Sequence, residues 1–68
     1  MRQVLIYTGE DGYFVAECPS LPGCFSQGKT RQEVIENIKV AIQLYIDVLE
    51  EKRQPVPEDK LDALLMAV

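Results

Sequence analysis

Leu21-Pro22-Gly23-Cys24 is the stretch that most limits how this chain can fold. Proline presets φ at the first central position of a turn, and glycine supplies the positive φ that a type II turn needs at the second. The turn lies inside a connector, residues 18–30, that also holds Pro19 and Gly28 and ends on Thr30, whose hydroxyl suits the opening of a helix. Pro19, Leu21, Pro22, Gly23, Cys24 and Gly28 are therefore read as a structural connector, a shaped joint between two apolar elements rather than a chemical site.

Upstream of the joint the pattern is β. Residues 2–8 are rich in β-branched and aromatic side chains and predict a strand. Gly9-Glu10-Asp11-Gly12 is a turn cluster, and residues 13–18 predict a second strand. Alternation places Tyr13, Val15 and Glu17 on one face of it and Phe14, Ala16 and Cys18 on the other. Two such runs around an Asp-Gly loop predict a hairpin. Residues 24–27, beyond the connector, predict a short third strand.

Downstream the period changes to that of a helix. Thr30-Arg31-Gln32-Glu33 has the form of a capping box, in which Thr30 accepts from the N–H of Glu33 while Glu33 reaches back. From residue 31 to about residue 52, Val34, Ile38, Ala41, Tyr45 and Leu49 form a stripe within roughly 80° of arc. Ile35, Ile42 and Ile46 widen one edge, and Leu44 and Val48 widen the other, with Val40 further round. The whole apolar arc is near 200°, which one sheet face does not cover. Either the sheet curls around the helix or one edge packs on another chain. The four-residue spacing of Val40, Leu44 and Val48 suits helix–helix contact and makes them the candidate oligomer interface.

Pro55 and Pro57 stop the helix. Past them, Leu61, Leu64, Leu65 and Val68 follow helical spacing, yet residues 63–68 are also an unbroken apolar run that suits a buried strand.

The chain has 68 residues, enough for one small domain. A domain of this size buries only about 60% of its unfolded surface, so self-association or a partner would help it. Its net charge of −4 argues against direct nucleic-acid binding and is compatible with a basic protein partner. Cys18 and Cys24 are too far apart in sequence for a usual zinc pair, and the chain has no histidine. No metal or cofactor is expected. No run is long enough for a membrane span or signal peptide, and the chain reads as cytoplasmic with reduced cysteines.

Without histidine, Ser–His and Cys–His nucleophiles are excluded. Eleven acidic residues remain, of which Glu17 alone lies within a predicted strand. No catalytic residue is assigned, and an enzyme is not expected.

Taken together, Asp11-Gly12-Tyr13, Cys18-Pro19-Ser20-Leu21-Pro22-Gly23-Cys24-Phe25-Ser26-Gln27-Gly28, Thr30-Arg31-Gln32-Glu33, Asn37-Ile38 and Ala41-Ile42 resemble the N-terminal domain of the HicB antitoxin family. The resemblance spans roughly residues 1–57. It implies an α+β fold of order β-β-β-α-β, likened to a degraded RNase H fold: an antiparallel three-stranded sheet on one long helix, with a C-terminal strand that would be residues 63–68. It further implies a non-catalytic role, binding a small basic HicA-type mRNA interferase and covering its active site, in a homo-oligomer such as a dimer or tetramer. Full-length members carry a C-terminal DNA-binding module. Only thirteen residues follow position 55 here, so the expectation is a single HicB-like domain over residues 1–68 without operator binding. The alternative is an orphan oligomeric scaffold or small-ligand-binding protein of the same fold.

Overall fold

The computed structural model describes residues 2–59. Strands β1 (Leu5–Thr8), β2 (Phe14–Glu17) and β3 (Phe25–Gly28) precede the helix α1 (Arg31–Glu51). The strands form one antiparallel sheet in the order β1-β2-β3. This is the predicted α+β arrangement of a three-stranded sheet and one long helix; the C-terminal strand expected at residues 63–68 lies outside the described residues.

Each strand is shifted or shorter than its sequence signal, because neighbouring backbone groups are claimed by something other than the ladder. The N–H of Gln3 is bonded to the Asp59 carboxylate (3.1 Å), so β1 begins at Leu5 rather than at residue 2. Tyr13 donates its N–H to Asp11 Oδ1 (3.1 Å) and accepts from Gly9 N–H (2.7 Å), which leaves β2 to start at Phe14. Cys24 gives its N–H to Leu21 (2.9 Å) to close the turn, and β3 starts one residue later than predicted. Gly23 has φ +80°, as a type II turn requires at that position.

Residues paired directly across a sheet share a face. The pairs Ile6–Ala16–Ser26 and Thr8–Phe14–Gly28 therefore line the inner face, and Leu5–Glu17–Phe25 and Tyr7–Val15–Gln27 the outer one. The helix packs on the inner face against β3 and β2, while β1 stands off from it. At 1.5 Å per residue, 21 residues of helix run about 31 Å, whereas four strand residues run about 13 Å. The helix consequently overhangs the sheet. Of the predicted stripe only Val34 and Ile38 are fully buried; Ala41, Tyr45 and Leu49 are half-buried.

The core is Ala16, Cys18, Leu21, Cys24, Val34 and Ile38, so half of it comes from the connector. Tyr45 fastens the overhanging part of the helix by donating its hydroxyl to the Pro22 carbonyl (2.8 Å). Gly28 lies directly under the first turn of the helix. A Cβ there would lie 2.7 Å from the Val34 nitrogen, so a hydrogen at this position is what lets the first helical turn seat on β3.

Thr30 caps the helix by accepting from the Glu33 N–H (3.0 Å), and Glu33 reaches back to the N–H of Lys29 (3.4 Å) rather than to Thr30 itself. The helix ends before either proline. Arg53 takes φ +57° and donates to Glu50 (3.0 Å), and Gln54 donates to Leu49 (2.8 Å). Those two bonds are the Schellman pattern, with arginine where glycine is usual.

Candidate partner-binding surfaces

The connector is held from both ends. Cys18 donates its N–H to Cys24 (3.0 Å), and Leu21 donates to Cys18 (3.0 Å). Ser20 gives its hydroxyl to Asp59 (3.0 Å) and accepts from Arg2 (2.9 Å), while Arg2 also donates to the Pro57 carbonyl (2.6 Å). The start of the chain, the connector and the segment after the helix are thus clasped at one point. Both cysteines are free and buried, deeper than their position beside a surface turn would suggest. Burial, and next the neighbouring Cys18, push the Cys24 thiol above its ordinary range, with Arg2 pulling the other way.

Two apolar surfaces hold six of the seven exposed large hydrophobic side chains among the described residues, the seventh being Ile6. The first is the outer sheet face, where Leu5, Tyr7 and Phe25 are 51%, 46% and 67% exposed. Glu17 is the one charged side chain in the three strands and stands between Leu5 and Phe25. Tyr7 donates its hydroxyl to Glu17 Oε1 (2.9 Å). That hydrogen bond first, then desolvation and the negative charge of Glu17, raise the phenol above its ordinary value. Sequence reasoning singled out Glu17 as the only strand carboxylate but did not assemble this face; the alternation in β1 and β3 was the available signal.

The second surface is on α1. Val40, Leu44 and Val48 are 60%, 59% and 47% exposed. Leu44 and Val48 border an open groove of about 480 Å³ whose other wall is Gly23, Cys24 and Phe25 and whose end carries Lys52. On the opposite flank of the helix, Ile35, Ile42 and Ile46 are half-buried and face Val4 and Ile6 across a separate groove. The sheet therefore leaves the Val40 side of the wide apolar arc open and shelters the Ile42 side in part.

The remaining connector and cap residues have structural places. Pro19, Pro22 and Gly23 are exposed on the turn, Leu21 and Cys24 are core, Gly28 is buried under the helix start, and Thr30 and Glu33 form the cap. Asp11 lies in the turn before β2, committed to the Tyr13 N–H, and Glu17 is the last residue of that strand. Among the described residues no three His, Cys, Asp or Glu side chains converge, and no helix is long and apolar enough to cross a membrane.

A small sheet and one over-wide helix leave open apolar surfaces on both layers. The sequence matches the family described as HicB-like antitoxin of bacterial toxin–antitoxin systems over residues 3–67, and the chain belongs to that family. It is 46% identical over 61 residues to a UPF0150 protein of Thermoplasma acidophilum, covering 90% of this chain and 88% of that one. To a UPF0150 protein of Synechocystis it is 50% identical over 58 residues, 85% of this chain and 73% of the relative. No solved structure matches the chain. The family is a regulatory, non-catalytic one whose antitoxin role implies a toxin partner.

Proposed function

We propose that this chain neutralises a small basic mRNA interferase of the HicA type by seating it on the outer face of the sheet. The observation that carries the reading is the uncovered row Leu5–Glu17–Phe25 with Tyr7 beside it. A rigid β surface with large apolar side chains around one carboxylate offers a basic partner both area and a charge to pair with. The chain's net charge of −4 steers such a partner towards it. Inhibition by this route is steric, since a nuclease whose RNA-binding face lies on the sheet has no room for RNA. The module acts in the cytoplasm as a homo-oligomer, which presents more than one sheet face at once.

Co-expression with the adjacent reading frame tests the reading. A basic protein should co-purify with the chain, and its RNA cleavage should be silent in the complex and active once the two are separated. A neighbour that neither binds nor cleaves RNA would refute the proposal.

A further inference from the structure

The open row on α1 extends beyond its three apolar residues. Taken every fourth residue it reads Glu36, Val40, Leu44, Val48, Lys52, and all five side chains are exposed. The row is apolar at its centre and carries opposite charges at its two ends, equally far from Leu44. Such a row is complementary to itself when reversed. A two-fold axis through Leu44 sets Leu44 on Leu44, Val40 on Val48 and Glu36 on Lys52, each of the last two pairs occurring twice.

We infer that α1 pairs with α1 of a second copy, antiparallel about Leu44, and that this contact is the principal self-association surface of the chain. The inference rests on the homo-oligomer reading above and specifies its geometry. Rows of spacing four on two helices run parallel to one another when the helices cross at about −50°, the commonest packing angle in globular proteins. The long side chains of Glu36 and Lys52 then meet at the rim, where the helices diverge. The groove between Leu44, Val48 and the Gly23–Phe25 wall takes up the residues at the edge of the contact.

A second copy suits this surface better than a basic partner does. Glu36 and Lys52 cancel, so the row has no net charge to attract a basic protein, whereas the outer sheet face keeps Glu17. The surface is available because α1 lies over β3 and β2 with its Ile42 flank turned towards β1, which leaves the row on the opposite flank, beside Gly23–Phe25. The fully buried core comprises only six residues, and a domain of this size gains from a permanent neighbour.

Sedimentation equilibrium of the full chain and four variants tests the pairing. The wild type should self-associate. Glu36→Lys and Lys52→Glu each replace two attractive rim contacts by repulsive ones and should weaken association by about three- to tenfold, while the double variant should return close to wild type. Leu44→Asp puts two carboxylates together at the axis and should weaken association roughly a hundredfold, with circular dichroism reporting an intact fold because Leu44 is exposed. Independently, Leu44→Cys should form a covalent dimer under mild oxidation, and Val40→Cys chains should cross-link efficiently only when mixed with Val48→Cys chains.

A chain that self-associates but shows neither charge-swap rescue nor Leu44→Cys cross-linking would overturn this interface and leave the homo-oligomer reading standing. A monomeric wild type would overturn both. A Leu44→Asp variant that keeps its assembly but loses the nuclease would overturn the inference and reassign the row to the toxin.

Discussion

Gly28→Ala is the substitution for which the structure supplies a magnitude. The added β-carbon would lie 2.7 Å from the Val34 nitrogen and 3.1 Å from the Glu33 carbonyl carbon. Both are backbone atoms of the first helical turn, which no side-chain rotation relieves. Ordinary van der Waals contact begins near 3.4 Å, so strand and helix must part by about 0.7 Å. That parting opens the contact between β3 and the two fully buried helix residues, Val34 and Ile38. Overpacking of this kind costs about 1–3 kcal/mol, offset by about 0.4–1 kcal/mol from the stiffer unfolded chain. A net loss of about 1–2 kcal/mol corresponds to a fall in Tm of roughly 4–16 °C for a domain of this size. Thermal unfolding followed by helical circular dichroism at fixed chain concentration reads it directly. Gly23 gives the contrast, because it needs its φ of +80° yet a β-carbon there would meet nothing within 4 Å. Asparagine tolerates that conformation, so Gly23→Asn should melt above Gly23→Ala, whereas Gly28→Asn should do no better than Gly28→Ala. An unchanged or higher Tm for Gly28→Ala would refute the claim that the helix is seated on this glycine.

Further predictions concern the helix end, the outer face and the thiols. Arg53→Gly relieves a left-handed conformation in the Schellman turn and should stabilise the chain by about 0.5 kcal/mol net of glycine's unfolded-state entropy, seen as a higher urea midpoint at unchanged slope. Tyr7 should titrate above an ordinary tyrosine when followed by ultraviolet absorbance, and Glu17→Gln should move it back towards the ordinary value. Because the folded value is the higher one, the associated stability is complete below the unfolded-state pKa of about 10 and is lost as pH rises through the folded value. Cys24, buried and raised above its ordinary range, should react slowly with iodoacetamide at neutral pH and fast in denaturant; equal rates would contradict its burial.

The elements were legible in the sequence because local signals agreed: alternation in the hairpin, Pro-Gly at the turn, Thr30 and Glu33 at the helix start. What the sequence did not show were relations between elements. The close approach of Gly28 to Val34 depends on how the helix is laid across β3, and no local pattern encodes that distance. The Schellman end was hidden because arginine, not glycine, occupies its left-handed position, which left the prolines as the visible stop signal. The trimming of β1 depends on Asp59, more than fifty residues away in sequence, bonding to Gln3. The over-wide apolar arc of the helix was readable from periodicity, but which edge the sheet leaves open depends on where the helix lies across the strands, over β3 and β2 with its Ile42 flank towards β1. Glu17 was visible as a strand carboxylate, and its setting between Leu5 and Phe25 required the register.

The central claim, that the outer sheet face receives a basic nuclease, is tested most directly by titrating the purified partner with wild-type chain and with Glu17→Lys and Phe25→Asp variants while RNA cleavage is followed. Neither side chain belongs to the buried core, so both variants should fold. The account predicts that each raises the inhibitory concentration at least about tenfold, as expected for residues at the centre of an interface. Inhibition by both variants at the wild-type concentration would contradict it.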